Sequence, residues 1–135
     1  MVIPEFNQQV IANVPNLFCL GNFFCLKPVS DVIGGVCAER TANGIYVWKF
    51  YYPLFNRANE LDLTLGQRLN KDDGYIESRG KTESSLGVEF ANRIRPLVRE
   101  VQDCSNYDSL IAFIEKNPRL IRNAVSYTHL TLPTN

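Results

Sequence analysis

Hydrophobic and polar residues follow the clearest pattern between positions 32 and 69, where the sequence predicts three β-strands. The first covers residues 32–41. The second covers 45–52 and is almost entirely β-branched or aromatic. The third covers 61–69, with leucines on one face and polar residues or glycine on the other. This period of two predicts an antiparallel sheet with one face on the core and one in water.

Glycine and proline indicate how these strands connect. Asn43-Gly44 lies between the first two strands, and both residues tolerate the positive φ of a tight hairpin turn. Gly34-Gly35, inside the first strand, indicates a bulge or a close approach by another element. Pro53 ends the second strand because it cannot donate a hydrogen bond to a neighbouring strand.

Aromatic residues fill the even positions of the second strand, Tyr46, Trp48, Phe50 and Tyr52. They admit two interpretations, a groove for a ligand or an ordinary core whose polar tips reach the edge of the sheet. The core is favoured, because large aromatic side chains dominate ordinary cores.

Further elements are predicted before the three strands at 32–69. Apolar residues at helical spacing indicate a short helix over 4–14, which Pro15 ends. Residues 17–26 follow as two short strands around Gly21-Asn22. We expect the helix to pack on the sheet, and the helix and the two strands to contribute apolar residues to the core between them.

Helices dominate the chain after the sheet. Residues 70–74 form a turn and 75–77 a brief strand. A long helix begins with a hydroxyl cap between Thr82 and Ser85, and Pro96 must kink or split it. A third helix opens near Ser105 and restarts at Pro118. The sequence therefore predicts an α+β domain, with an antiparallel sheet of three to five strands, an N-terminal helix and two or three C-terminal helices.

Composition narrows the class of protein. The chain has 135 residues, which suits one domain, and 45% of them are hydrophobic, which suffices for a core. Fourteen basic and fourteen acidic residues balance, so no electrostatic argument favours nucleic acid as a partner. The N-terminus has no positive region or long apolar stretch, and the apolar run at 17–26 is too short to span a bilayer. We therefore expect a cytoplasmic protein with no membrane partner.

Cysteine and histidine contribute little recognisable chemistry. The four cysteines form no Cys-x-x-Cys pair, so packed thiols are expected. The alternative is a disulfide between Cys19 and Cys25, but disulfides are rare in intracellular proteins. The one histidine is His129, so the chain before it has no Ser-His or Cys-His pair and no histidine metal ligand.

The C-terminal residues differ from the rest of the chain. Every charged side chain lies before position 123. Residues 125–134 closely resemble a string found at the ends of predicted proteins from environmental sequence assemblies, where it looks like translated adaptor DNA. The resemblance implies a single domain over 1–125, truncated at its C-terminus, followed by a non-native tail over 126–135.

Carboxylates are the remaining route to catalysis. Asp62, Asp72, Asp73 and Glu77 are close enough in sequence to gather around a divalent metal. The run from Glu77 to Arg79 faintly resembles the acidic-x-lysine pair of a nuclease superfamily. Arginine stands where that family has lysine, and arginine cannot be deprotonated to assist a water molecule. An ordinary charged sheet edge is the favoured interpretation.

Three short runs resemble small bacterial proteins, some of the kind encoded beside toxins as immunity factors. The runs are residues 27–29, 52–55 and 65–69. The resemblance implies a small α+β domain that works by binding, and it brings no catalytic residue with it.

The leading hypothesis is a cytosolic module that binds another protein, of which an immunity-like inhibitor is one form. Its predicted surface is the polar face of the third strand with the polar 70–85 loop. No catalytic residue, metal or cofactor is expected. The candidate binding residues are Asp62, Thr64, Arg68, Asp72, Asp73, Glu77, Arg79 and Lys81.

Two alternatives stay open. One is a metal-dependent nuclease or hydrolase that uses carboxylates around Asp62 and Glu77. The other is a structural subunit whose missing C-terminus formed its interface, which predicts an exposed apolar patch near residues 110–124. The oligomeric state does not follow from the sequence.

Overall fold

The computed structural model describes residues 3–29, 31–53, 65–103 and 107–116. It confirms the predicted α+β fold, with an N-terminal helix, an antiparallel sheet and C-terminal helices. The elements in chain order are α1 (Glu5–Asn13), β1 (Leu17–Leu20), β2 (Phe23–Leu26), β3 (Val32–Arg40), β4 (Gly44–Pro53), β5 (Leu65–Arg68), α2 (Lys71–Gly74), β6 (Ile76–Glu77), α3 (Glu83–Gln102) and α4 (Tyr107–Glu115).

The sheet has the spatial order β1-β2-β3-β4-β5, and every pairing is antiparallel. β6 pairs with the first two residues of β4. Since β3 occupies one side of β4, β5 and β6 follow one another along its other side. Of the strand predicted over 61–69, residues 65–69 are described, and β5 covers all of them except Leu69. Asp62 and Thr64 lie outside the described residues.

The connection between β3 and β4 differs from the predicted turn. Neither Asn43 nor Gly44 has positive φ. Thr41 closes the loop instead, since its N–H and hydroxyl donate to the Gly44 carbonyl at 2.8 and 2.9 Å. Gly44 is needed for space, because a Cβ there would lie 2.5 Å from both the Ile76 carbonyl oxygen and Cζ of Tyr75.

Helices α1 and α3 cover one face of the sheet and enclose the main core. The Phe6 ring of α1 lies 6.2 Å from the Phe24 ring of β2 and 5.3 Å from the Phe90 ring of α3, between centroids. The apolar side of α3 faces this core, and its buried residues recur at helical spacing. Pro96 lies inside α3, which continues through it, so the helix is not split.

Gly34 and Gly35 allow the predicted close approaches. A Cβ on Gly34 would lie 2.6 Å from Cγ1 of Val101 on α3. A Cβ on Gly35 would lie 2.0 Å from the Phe24 carbonyl oxygen on β2. The two glycines therefore let the C-terminal end of α3 and the backbone of β2 pack directly against β3.

Asn7 of α1 and Val14, the residue after that helix, form hydrogen bonds near the two ends of β1. The buried Asn7 side chain donates from Nδ2 to the Gly21 carbonyl at 2.9 Å. At the other end, the Leu17 N–H donates to the Val14 carbonyl at 3.3 Å. Gly21 has φ +61° at the first central position of the two-residue β1–β2 loop, where type II′ turns favour glycine.

Cys19, Cys25 and Cys37 are free thiols, as predicted, and Cys104 lies outside the described residues. A disulfide between Cys19 and Cys25 does not form. Cys25 stands opposite Phe18 and Cys19 stands opposite Phe24, so the two thiols alternate onto different faces of the sheet. Within the described residues, no helix is long and apolar enough to span a bilayer.

Replacing Gly87 with alanine tests the contact between α1 and α3. Alanine raises helix propensity by about 1 kcal/mol, but its Cβ would lie 2.6 Å from the Phe6 carbonyl oxygen. Overpacking of this kind costs about 1–3 kcal/mol. We expect Gly87→Ala to lower the free energy of unfolding in urea. Ser85→Ala, at an exposed position of the same helix, should change it by less than about 0.5 kcal/mol.

Alkaline pH should destabilise the fold through two buried thiols. Burial raises the pKa of Cys25 to about 12 and that of Cys37 to about 11, from 9.0. Below pH 9 both thiols are protonated in the folded and the unfolded chain. Above it the unfolded chain releases protons that the folded chain retains, so the free energy of unfolding falls as pH rises towards 11.

The measurement is urea denaturation across this pH range. Each thiol contributes a slope of at most about 1.4 kcal/mol per pH unit. The Cys25→Ala/Cys37→Ala variant should show a shallower decline, whatever its absolute stability. Equal slopes for the two proteins would contradict the prediction.

Candidate functional site

The sheet face opposite α1 and α3 is lined by aromatic side chains. We call it the aromatic face. At its centre Cys25, Cys37, Phe50 and Tyr52 are buried. Around them pack partly buried hydrophobic residues, which are Phe18, Phe23, Ile33 and Trp48.

Trp48 is held in place by polar partners on both neighbouring strands. Its indole N–H donates to Oε1 of Glu39 on β3 at 2.8 Å. Arg68 on β5 stands directly opposite Trp48, and its Nη1 lies 3.5 Å from the same carboxylate oxygen. Glu39 therefore joins the indole and the guanidinium across three strands, and all three side chains remain accessible to solvent.

Two tyrosines extend this arrangement towards α2. The Arg68 guanidinium carbon lies 4.6 Å from the centroid of the Tyr46 ring. The Tyr46 and Tyr75 rings are 4.8 Å apart and tilted by 55°. Nζ of Lys71 lies 5.1 Å from the centroid of the Tyr75 ring. Cations thus lie over both tyrosines, a favourable arrangement with the negative faces of the rings.

We call this set of contacts the aromatic–cation cluster. Its members are Glu39, Tyr46, Trp48, Arg68, Lys71 and Tyr75. Gly44 makes it possible, because Tyr75 occupies the space that a side chain at position 44 would fill. Tyr46, Trp48 and Tyr75 are half-buried, whereas Arg68 and Lys71 are exposed. Such partly exposed aromatic and arginine side chains, already fixed by neighbours, suit the recognition of another molecule.

The structure places the predicted site residues in different surroundings. Arg68 belongs to the aromatic–cation cluster. Lys81 pairs instead with Glu89 of α3, at 2.8 Å, and the Asp73 carbonyl accepts a hydrogen bond from Arg93 at 3.0 Å. The remaining described candidates are exposed on α2, β6 or the turn after it, and they are Asp72, Glu77 and Arg79.

Sequence reasoning missed most of the cluster. The second strand's aromatics were predicted to be core, which holds for the buried Phe50 and Tyr52. Tyr46 and Trp48 share their face but are only half-buried. The pairing of the second and third strands could have revealed the cluster. In the observed register the polar face of the third strand, with Arg68, lies beside the even positions of the second strand.

The described residues contain no group of three or more histidine, cysteine, aspartate or glutamate side chains that could hold a metal ion. Asp72, Asp73 and Glu77 are therefore not gathered with one another as a ligand set. Asp62 and His129 lie outside the described part of the chain.

Comparisons with models of protein families, with curated proteins and with solved structures found no match.

Two substitutions of Glu39 separate its hydrogen bond from its charge. Glu39→Gln keeps an oxygen that accepts the Trp48 N–H, and should change the free energy of unfolding by less than about 0.5 kcal/mol because the ion pair is exposed. Glu39→Leu removes the acceptor as well and should cost about 1 kcal/mol. Urea denaturation followed by Trp48 fluorescence measures both. Equal losses for the two variants would assign the effect to the ion pair instead, because both remove the charge.

Proposed function

We propose that the protein is a protein-binding module and that the aromatic–cation cluster is the centre of its binding surface. The observation that carries the proposal is the contact of Arg68 with both Glu39 and the Tyr46 ring, beside the half-buried Trp48. Tryptophan, tyrosine and arginine are the residue types that most often dominate binding energy in protein interfaces.

The cluster is fixed before any partner arrives. The indole N–H of Trp48 is already bonded, and Tyr46 is held between Arg68 and Tyr75. Less rotamer freedom is therefore lost on binding, which favours affinity. The chain has no net charge, so short-range contacts at this surface, rather than long-range attraction, would select the partner.

An immunity-like inhibitor remains the form of binding module that we propose. Its inhibition would consist of covering a partner's surface, which requires no catalytic group. The run at 65–69, part of the resemblance to immunity proteins, contains Arg68 of the cluster. A cytoplasmic location is part of the proposal, supported by three free thiols on β1, β2 and β3.

The two alternatives have less support among the described residues. For the metal-dependent hydrolase, the described residues contain no group of three or more possible metal ligands, and Asp62 lies outside them. For the structural subunit, Ile111 of α4 is 53% exposed, but the patch predicted for that interface continues into residues 117–124, outside the described part.

Selection of peptide ligands from a random display library on the immobilised protein tests the proposal. Peptides that bind should lose affinity by about tenfold or more when Arg68 is changed to glutamate or Tyr46 to alanine, because these side chains form the centre of the surface. Affinity is measured by titration of the purified variants, after circular dichroism has shown that they are folded.

Arg99→Glu is the matched control, since it reverses the same charge at an exposed position of α3. Its affinity for the selected peptides should equal that of the wild type. Peptides that bind equally well to the Arg68 and Tyr46 variants would move the binding surface elsewhere. Heat of Mn²⁺ binding in calorimetry would favour the hydrolase instead.

A further inference from the structure

The loop between β3 and β4 contains a chemically labile asparagine. Asn43 is the one asparagine of the chain that is followed by glycine. Because glycine has no side chain to shield its backbone nitrogen, this nitrogen can attack the carbonyl carbon of the asparagine side chain. Asn43 is exposed, so water and hydroxide reach it, whereas Gly44 is buried at the start of β4. The fold therefore places a reactive side chain next to a nitrogen that it holds in a strand.

Thr41 restrains the attacking nitrogen. The Gly44 N–H donates to Oγ1 of Thr41 at 3.1 Å, and the same hydroxyl donates to the Gly44 carbonyl at 2.9 Å. The Thr41 N–H also donates to that carbonyl, at 2.8 Å. Attack on the Asn43 side chain requires the nitrogen to lose its proton and the backbone to rotate. The three hydrogen bonds oppose both changes, so the loop has to open before the reaction occurs.

The backbone carbonyl of Asn43 connects this loop to β6. It accepts a hydrogen bond from the Ser78 N–H at 3.0 Å, beside the pair that Gly44 forms with Glu77. Tyr75, which precedes β6, occupies the space that a Cβ at position 44 would fill. A change in the backbone at position 43 therefore alters the support of β6 and of Tyr75, a member of the aromatic–cation cluster.

We propose that Asn43 is a site of spontaneous deamidation and that its isoaspartate product detaches β6 and Tyr75 from β4. The Gly44 nitrogen loses its proton to a base in solution and forms a bond to Cγ of Asn43. The side-chain nitrogen takes a proton from the solvent and leaves as ammonia. Water then opens the cyclic imide at either of its two carbonyls, giving isoaspartate or aspartate. Water is the only reactant consumed.

Isoaspartate changes the connection between β3 and β4 in two ways. The main chain then runs through Cβ and Cγ of residue 43, which adds one carbon to the loop and displaces the register in which Gly44 stands opposite Glu77. It also introduces a negative charge next to this acidic residue, and like charges in paired strands are destabilising. Any effect on binding at the aromatic–cation cluster rests on the proposed function, whereas the reaction itself does not.

Incubation of the full-length protein at mildly alkaline pH, followed by peptide mapping, measures the deamidation of Asn43. We expect slow reaction in the folded wild type and faster reaction in urea, where the hydrogen bonds of Thr41 are absent. Thr41→Val should raise the rate in the folded protein by about fivefold, the factor that corresponds to one ordinary hydrogen bond. Ser85→Ala removes an exposed hydroxyl of α3 and should react as the wild type does. Urea denaturation checks that both variants are folded.

Hydrogen exchange of the Ser78 amide measures the detachment of β6. After chromatography has separated the two products, the isoaspartate form should show exchange at Ser78 that is faster than in the wild type by about fivefold or more. Asn43→Asp is the matched control, because it carries the new charge on an unchanged backbone. It should retain most of the protection at Ser78.

Three results would overturn the inference. The first is the absence of product at Asn43 in the folded wild type, over a period that fully modifies the chain in urea. The second is an equal rate in the wild type and Thr41→Val, and the third is unchanged exchange at Ser78 in the isoaspartate form. None of these measurements involves a partner, so each can fail while the proposed function stands. Display-selected peptides should bind the isoaspartate form more weakly than Asn43→Asp, and equal binding would overturn the effect on the cluster alone.

Discussion

The pairing of β3 with β4 is the contact on which the rest of the structure depends. It joins nine residue pairs, from Val32 opposite Pro53 to Arg40 opposite Ile45. Every other strand is attached to this pair, with β2 on the β3 side and β5 and β6 on the β4 side. A shift of β4 by one residue against β3 would turn every side chain of β4 to the opposite face of the sheet. It would remove Val47 from the main core and bring Trp48 beneath α3.

The two faces of β4 have separate roles because successive side chains point in opposite directions. Ile45, Val47 and Tyr51 contribute to the core beneath α1 and α3. Lys49 lies on the same face, where it is nearly buried and pairs with Glu100 of α3 at 2.8 Å. The other face carries Tyr46, Trp48, Phe50 and Tyr52. Stability and the proposed recognition thus use alternate positions of one strand.

The sequence predicted the parts of the fold that depend on local pattern. The β-rich runs on either side of Asn43-Gly44 identified β3 and β4 to within a residue of their bounds. The hydroxyl cap predicted between Thr82 and Ser85 is Thr82, whose side chain accepts from the Ser85 N–H. The role of Gly44 was mistaken, because its neighbour Tyr75 is distant in sequence and no local rule shows the contact. Glu89 and Arg93 of α3 likewise bond to residues outside the helix, Lys81 and Asp73, which local spacing does not indicate.

The candidate site was predicted less well, for a related reason. Arg68 was identified from the polar face of its own strand. Its partners Glu39, Tyr46 and Trp48 come from two other strands, and their convergence depends on a register that composition and spacing do not specify. The exposure of a tyrosine or tryptophan in a strand likewise depends on what covers the sheet, which only the assembled fold defines.

The hydrogen bonds that Asn7 and Val14 make near the ends of β1 bear on how the protein aggregates. Residues 17–26 form an uncharged, largely apolar hairpin, the composition that promotes intermolecular β-aggregation when an edge is exposed. Asn7 and Val14 occupy the two ends of that edge from within the same chain. These two contacts hinder another chain from pairing at either end of that edge, so the segment that begins the domain also limits how the sheet can associate with other copies.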